Sequence, residues 1–354
     1  MEFIQPIIFN VALLFIMMIP GVLMKKCKLM PEGFGKGLSK LVLYIAQPAL
    51  IFMAYLREFD PVILINSLWI FLIALGLHVI FSVVALLSFK RAPSEMRKML
   101  RFATIFSNAA FMGIPLIGAV LEDTFPGATM YASIYNIVFN LFLWSLGVYI
   151  CNEDRDTDGD GEPDQSYLED FKEVHTELIK EQSKHKSHKE IHLGHIFLTS
   201  MKKALLHPVT LAAALGLVFF ILPIEGYVPA LITDSLTMLK NLVAPLSMVV
   251  IGIRLADIKW SGIFKDKYMY LFLLYRHVAL PLVSVGICKL LPLIGLPIDD
   301  VLTNVTVILA AAPAASSATM FAEQYDCDAV YTSRLVTVST LLSIVTMPLV
   351  LFLL

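Results

Sequence analysis

The strongest constraint on this chain is a series of ten long apolar windows. They span residues 3–24, 38–56, 62–89, 100–121, 129–151, 204–222, 229–253, 268–291, 301–322 and 330–353. A helix needs roughly 20 mostly apolar residues to cross the hydrocarbon core of a bilayer. Inside that core every backbone polar group has to be hydrogen-bonded within the protein, which only helices and closed barrels achieve. We therefore predict an all-α polytopic membrane protein with ten transmembrane helices.

Charged residues are scarce, and many of them lie between the fifth and sixth windows. They make up 16% of the chain, whereas soluble proteins carry about 25%. Residues 151–203 contain 13 Asp or Glu and 8 Lys or Arg. We therefore divide the chain into a first five-helix repeat at 1–151, a polar loop at 152–203 and a second five-helix repeat at 204–354. The net charge of −2 offers no basic surface to nucleic acid, so we expect no such partner.

Lysine and arginine are distributed unevenly between the connections. The segments 25–40 and 90–101 each carry five Lys or Arg, whereas the connections 122–129 and 223–235 carry none. Positively charged connections stay in the cytoplasm because translocating them is costly. The pattern predicts a plasma-membrane protein with both termini outside the cytoplasm and the loop 152–203 inside it.

Five windows in each half is an odd number, which affects how the halves are oriented. If the halves share a fold, an odd count gives them opposite orientations, as in the inverted repeats of many secondary transporters. Pro48 in the second window and Pro245 in the seventh stand in similar sequences. Pro115 and Pro313, in the fourth and ninth windows, have nearly the same separation. We therefore predict a 5+5 inverted repeat.

The fourth and ninth windows combine helix-breaking residues with small polar ones. The residues concerned are Ser107, Asn108, Gly113 and Pro115 in the fourth window, and Pro313 and Ser316 in the ninth. Gly113, Pro115 and Pro313 weaken helical hydrogen bonding, so we predict helix breaks there. Broken helices in corresponding positions of two halves are the best sequence indication of a transport site, and half-helix N-termini favour anions. The alternative is that Pro and Gly merely kink two packed helices.

Two asparagines in the fifth window provide further candidates for substrate contact. Asn136 and Asn140 lie four residues apart, so they share one face of a helix. Amide groups in hydrocarbon are costly without partners. The sequence leaves two interpretations open, which are contact with a substrate and hydrogen bonding between helices.

Arg276 is the clearest ionisable candidate inside a window. It lies about two helical turns inside the eighth window, and an intramembrane arginine is a functional residue by default. It could attract a substrate carboxylate, or its side chain could extend to the cytoplasmic interface. Glu122, Asp123 and Glu323 all lie at window ends, so the sequence offers no buried acid for proton or sodium coupling. Uniport therefore remains an alternative to coupled transport.

Catalytic and cofactor motifs are missing from the sequence. It contains no G-x-S-x-G, no H-E-x-x-H and no P-loop, and the four cysteines lack metal-ligand spacing. The Asp-rich stretch 154–164 lacks the glutamate that closes an EF-hand loop. We expect no enzyme activity, no cofactor and no metal site. A channel, a receptor and, less favoured, an intramembrane enzyme are the alternatives to a transporter.

Several motifs are similar to those of one transporter family. They are residues 41–52 (LVLYIAQPALIF), Asn108 with 113–116 (GIPL), and 322–325 (AEQY) with 339–348 (STLLSIVTMP). They resemble the auxin efflux carrier family, in its prokaryotic branch, which is related to the plant PIN carriers. The resemblance covers all ten windows. It implies carriage of small organic acid anions, such as malate, malonate or auxin-like carboxylates.

The same resemblance implies an architecture and roles for particular residues. Helices four and nine would break and cross, helices 1, 2, 6 and 7 would form an often dimeric scaffold, and the rest would move as an elevator. Asn108 matches an asparagine beside the crossover, near the substrate carboxylate, and Pro313 matches the ninth-helix crossover proline. Asn136 matches a polar position of the fifth helix. The plant carriers have a proline at the position of Ser107. When the two halves are aligned on that basis, Ser107, rather than Pro115, is the counterpart of Pro313.

Overall fold

A computed structural model describes residues 9, 12–31, 33–152, 202, 205–222, 227–256, 266–325 and 327–352. Within these residues the regular structure is helical, and the extended backbone is limited to one isolated bridge. The predicted polar loop, with its Asp-rich stretch at 154–164, lies outside the described residues except for Asn152 and Lys202.

The helices follow the predicted windows, and we number them in chain order. The first half contains α1 (Met18–Lys26), α2 (Phe34–Tyr55), α3 (Pro61–Ser88), α4 (Ser94–Ile105), α5 (Ala109–Val120) and α6 (Ala128–Cys151). The second half contains α7 (Pro208–Ile221), α8 (Ala230–Ala256), α9 (Lys267–Leu293), α10 (Asp300–Ala311), α11 (Ser317–Gln324) and α12 (Ala329–Leu351). Aspartate side chains accept a first-turn N–H and so define where four of these helices begin: Asp60, Asp266, Asp299 and Asp328.

Six of these helices are long and apolar enough to cross a membrane. They are α2, α3, α6, α8, α9 and α12, while α5, α7 and α10 are apolar but shorter. The fourth and ninth windows each contain two helices rather than one. The protein is therefore an all-α, multi-pass membrane protein in the part that the structure describes.

Two helix pairs are packed so closely that only glycine fits between them. The helices α1 and α8 pack together, and a Cβ on Gly252 would overlap the carbonyl oxygen of Met18. Gly21 is equally close to the backbone of α8. The helices α2 and α7 form the second pair, in which a Cβ on Gly216 would lie 2.8 Å from the side chain of Tyr55. Small residues allow this close backbone approach, which strengthens van der Waals packing where water cannot drive association.

The remaining helices surround the two broken ones. The helix α3 packs against α4, and α9 packs against α10. The helix α6 packs against α10, and α12 packs against α4. This arrangement places the ends of α4, α5, α10 and α11 together inside the protein.

Candidate substrate site

The backbone leaves the helical conformation in the middle of both the fourth and the ninth windows. Between α4 and α5, Phe106 is extended (φ −94°, ψ 113°) and Asn108 has φ −77° and ψ 50°. Between α10 and α11, Ala312 is extended (φ −57°, ψ 147°), and helical structure resumes at Ser317. The structure therefore interrupts the two helices that the sequence singled out.

The two extended segments cross and hydrogen-bond to each other. The backbone N–H of Asn108 donates to the carbonyl of Pro313 at 2.7 Å, and that of Ala315 donates to Phe106 at 2.8 Å. Ser107 lies opposite Ala314 in an antiparallel bridge. Backbone groups freed by a helix break are costly when buried without a partner. Each broken helix therefore provides partners for the other, and we call this contact the crossing.

The break in the fourth window lies earlier than the positions predicted from Gly113 and Pro115. Gly113 is helical (φ −65°, ψ −56°) and ends a π-helical turn that opens α5. Pro115 stands in the first turn of the α-helical segment that follows, where its missing N–H is tolerated. Ser107, not Pro115, lies beside the segment that contains Pro313. The predicted break at Gly113 and Pro115 is corrected to 106–108, and the Pro115–Pro313 correspondence is wrong.

A cavity of about 60 Å³ lies beside the crossing. Its lining includes four of the predicted contact residues: Ser107, Asn108, Asn136 and Asn140. Of the described residues that line it, none is acidic. A cavity of this size holds a few water molecules, since one water needs about 10–15 Å³ of such space. A whole organic acid therefore requires the cavity to widen from the conformation seen here.

Asn108 joins the two broken helices through its side chain as well as its backbone. Its Nδ2 donates to the hydroxyl of Ser316 at 3.1 Å, and both side chains are buried. Ser316 and Pro313 belong to the crossing but do not line the cavity. The amide of Asn108 is therefore held in place from the α11 side.

The cavity lies at the N-terminal ends of α5 and α11. Ala110, in the first turn of α5, and Ser317, the first residue of α11, both line it. The first N–H groups of a helix have no acceptor within that helix, and the helix dipole adds partial positive charge there. Helix N-termini are for this reason common anion sites. The two helix N-termini therefore make the cavity electrostatically favourable for an anion. Among the described residues that line it, His207 is the one basic side chain.

Arg276 occupies the opposite side of the crossing. Its Nε donates to Ala312 O at 3.0 Å, its Nη1 donates to Thr104 O at 2.9 Å, and its Nη2 donates to Ala310 O. These carbonyls end α4 and α10, where the helix dipoles carry partial negative charge. The side chain is fully buried and is not part of the cavity lining. The predicted alternative, extension to the membrane surface, is wrong because the backbone carbonyls retain the guanidinium.

A further set of hydrogen-bonded side chains holds the crossing from α12. The N–H of Ala314 donates to the hydroxyl of Ser339 at 2.9 Å, and Ser339 contacts Nε2 of His277 at 2.9 Å. The Nδ1 of His277 lies 2.9 Å from the hydroxyl of Thr346. Sequence reasoning missed this set, although a histidine next to Arg276 and hydroxyls on one face of α12 were available signals.

Polar contacts also connect the crossing to α2 and α8. Gln47 Nε2 donates to the carbonyl of Ala110 at 2.6 Å. Arg254 donates through Nη1 to the carbonyl of Ser316 and to Thr319 Oγ1, the latter at 2.8 Å. Sequence reasoning had assigned neither Gln47 nor Arg254 to the site. A lone amide within an apolar window was the available signal for Gln47.

The ion pairs near the C-terminal ends of α11 and α5 differ in length and surroundings. Lys36 and Glu323 form an exposed ion pair at 2.6 Å near the C-terminal end of α11. Near the C-terminal end of α5, Arg57 and Glu122 lie 3.8 Å apart beside an open cavity of about 510 Å³. Lys240 lines this larger cavity as well. The α5 end therefore has an open cavity, whereas the α11 end has a short, exposed ion pair.

Comparison with known proteins identifies a family. A family model described as a membrane transport protein matches residues 6–351, which covers nearly the whole chain. No curated protein matches the chain.

Proposed function

The chain belongs to the auxin efflux carrier family of membrane transport proteins, and from this premise we propose that it is a secondary transporter for small organic acid anions. Members of the family are transporters rather than enzymes. The observation that carries the proposal is the meeting of two helix N-termini, those of α5 and α11, at one cavity inside the protein. Malate, malonate and auxin-like carboxylates are the proposed substrates.

The substrate carboxylate binds at the N-termini of α5 and α11, and polar side chains orient it. Ser107, Asn108, Asn136 and Asn140 supply hydroxyl and amide groups around the cavity. Ser316, with Pro313, holds Asn108 in position through the crossing.

Arg276 contributes from behind the crossing. Its guanidinium binds the carbonyl ends of α4 and α10, so it stabilises the arrangement that presents the two N-termini. Half-helix C-terminal ends and unwound carbonyls are where coupled transporters hold Na⁺. Because a tethered cation occupies such carbonyls here, we propose uniport. Uptake should then be unchanged when external Na⁺ is replaced by K⁺ at constant membrane potential, and a loss of uptake would refute uniport.

A 5+5 inverted repeat is supported by the pairing of the helices. Matching windows one to five with windows six to ten converts the α1–α8 pair into the α7–α2 pair. The same operation converts α3–α4 into α9–α10 and α6–α10 into α12–α4. In the proposed transporter the scaffold consists of α1, α2, α7 and α8, through which two copies associate as a homodimer. The other helices carry the site in an elevator-like movement.

The proposed orientation follows from the positively charged connections. Both termini face the outside of the plasma membrane, and the loop 152–203 faces the cytoplasm. The open cavity beside Arg57 then faces outward, and the Lys36–Glu323 ion pair connects α2 and α11 at the cytoplasmic end. In the elevator these contacts between scaffold and moving helices exchange as the site crosses the membrane.

Uptake by the purified full-length protein in liposomes tests the proposal. We expect saturable uptake of labelled malate, malonate or auxin. Asn108→Ala should lower uptake by at least about tenfold, because a tenfold change in affinity corresponds to the free energy of a single strong hydrogen bond. Asn66→Ala is the matched control because Asn66 is also a buried asparagine but donates to Asp299, away from the cavity. Equal uptake by Asn108→Ala and the wild type would remove the proposed site. Failure of every organic acid would favour a channel, a receptor or an enzyme.

A further inference from the structure

Two buried oxygen atoms at the cavity have no hydrogen-bond partner among the described residues. They are Oε1 of Gln47 and Oδ1 of Asn136, and both residues line the cavity. Gln47 is 0% exposed and Asn136 is 2% exposed. A buried polar atom without a partner costs free energy, so a native structure that retains one calls for an explanation.

The orientation of the Gln47 amide is fixed by its other atom. Its Nε2 donates to the carbonyl of Ala110 at 2.6 Å, and rotating the amide by half a turn would place two oxygen atoms against each other. The Oε1 of Gln47 is therefore an acceptor. It lies beside the first turn of α5, where the proposed substrate carboxylate binds.

We propose that the substrate carries a neutral hydrogen-bond donor, a hydroxyl or an N–H group, in addition to its carboxylate, and that Gln47 and Asn136 accept from this donor. This inference rests on the proposed function. A carboxyl with an ordinary pKa of about 4 is ionised at neutral pH and accepts hydrogen bonds only, so it cannot satisfy these oxygens. The donor must therefore be a separate group of the same molecule.

The charges around the cavity favour a neutral donor over an ammonium group. No acidic side chain is present in the described lining, and two helix N-termini add partial positive charge. Burying an ammonium group there would leave it without a counter-ion. Hydroxy acids and carboxylates with an N–H group fit the site, whereas simple dicarboxylates and amino acids do not.

Such a site discriminates strongly against a molecule that lacks the donor. A pocket built to hydrogen-bond a substrate hydroxyl rejects an analogue that lacks it, since the buried protein groups are then left unpaired. Gln47 and Asn136 are thus specificity-determining residues.

Three four-carbon dicarboxylates that differ only at one carbon test the inference. Malate carries a hydroxyl there, succinate a hydrogen and aspartate an ammonium group. In liposomes containing the full-length protein, we expect malate uptake to exceed succinate and aspartate uptake by about tenfold or more. Gln47→Met, which keeps the length of the side chain but loses its amide, should bring the malate-to-succinate ratio close to one. Asn136→Leu should lower the ratio in the same direction.

A matched control separates recognition from the general effect of removing an unpartnered oxygen. Ser247 also has a buried hydroxyl oxygen without a partner among the described residues, but it does not line the cavity. Ser247→Ala should therefore leave the ratio unchanged. If Gln47→Met does not fold, the wild-type ratio and the Asn136→Leu variant decide the question.

The possible failures distinguish this inference from the function on which it rests. Equal uptake of malate and succinate by the wild type would refute the donor and leave the carrier intact. Preference for aspartate would refute its neutrality. Transport of malonate with none of the three would also refute the inference, because malonate carries no donor. Transport of no organic acid would refute the proposed function.

Discussion

The two sides of the crossing differ in how fully the side chains that reach it from neighbouring helices are paired. On the far side, Arg276 donates to backbone carbonyls of the broken helices, Ser339 accepts from the Ala314 N–H group, and His277 contacts Ser339. On the cavity side, Gln47 and Asn136 each keep a buried oxygen without a partner in the described part of the chain. The far side therefore stabilises the crossing, while the cavity side retains hydrogen-bonding capacity for a ligand.

This difference implies a division between stability and transport. Removing a group whose partners stay buried and unpaired is destabilising, whereas removing a group that already lacks a partner costs little. Substitutions on the far side should thus lower stability first, and substitutions on the cavity side should lower transport first.

The largest effect is expected for Arg276→Met. It leaves the carbonyls of Thr104, Ala310 and Ala312 without their donor. Each costs about 1–3 kcal/mol when left unpaired, which together approaches the whole stability of many proteins, about 5–15 kcal/mol. The yield of folded protein in detergent and its unfolding temperature measure the effect. Arg276→Lys, which keeps the charge but not the fork of donors, should be intermediate. An unchanged unfolding temperature for Arg276→Met would show that the far side does not stabilise the crossing.

A smaller loss is expected for Ser339→Ala. It removes the acceptor of the Ala314 N–H group and should cost about 1–3 kcal/mol. Thermal unfolding of the purified protein should show a lower midpoint. Ser235→Ala provides the control, since the Ser235 hydroxyl is exposed and donates to the carbonyl one turn earlier in α8. If both variants unfold at the same temperature, the contact from Ser339 is not a significant support.

The smallest effect on stability is expected for Asn136→Leu. Leucine has a similar shape, and the substitution removes an oxygen that has no partner among the described residues. We expect no decrease in the unfolding temperature, together with reduced uptake of the preferred substrate. Both measurements are made on one preparation. If Asn136→Leu lowers the unfolding temperature as much as Ser339→Ala does, the two sides of the crossing do not differ in their contribution to stability.

Much of the fold could be predicted from the sequence because its signals are local. Apolar windows of sufficient length indicate helices, and the described helices lie within or next to them. The family resemblance is confirmed by the match over residues 6–351. The break near Pro313 is also local, since proline removes a helical donor. In the fourth window the same argument placed the break at Pro115, but a π-helical turn and the start of a helical segment accommodate that residue instead.

The far side of the crossing could not be predicted, because it depends on contacts between distant parts of the chain. Arg276 binds a carbonyl 172 positions away in sequence, at Thr104. Composition shows that a buried arginine needs partners, but it does not show that the partners are backbone carbonyls of two other helices. Gln47 was overlooked for a related reason, since its importance lies in an oxygen whose surroundings only the packed structure reveals.

The glycine contact between α1 and α8 has a consequence for where solutes can pass. With Gly21 and Gly252 facing the opposite backbone, no side chain lies between the two helices at this level. A gap wide enough for an ion or a lipid tail is therefore excluded along this seam. In the proposed carrier a solute therefore does not pass between α1 and α8 at this level, and the further contacts of α8 are with α5 and, through Arg254, with α11.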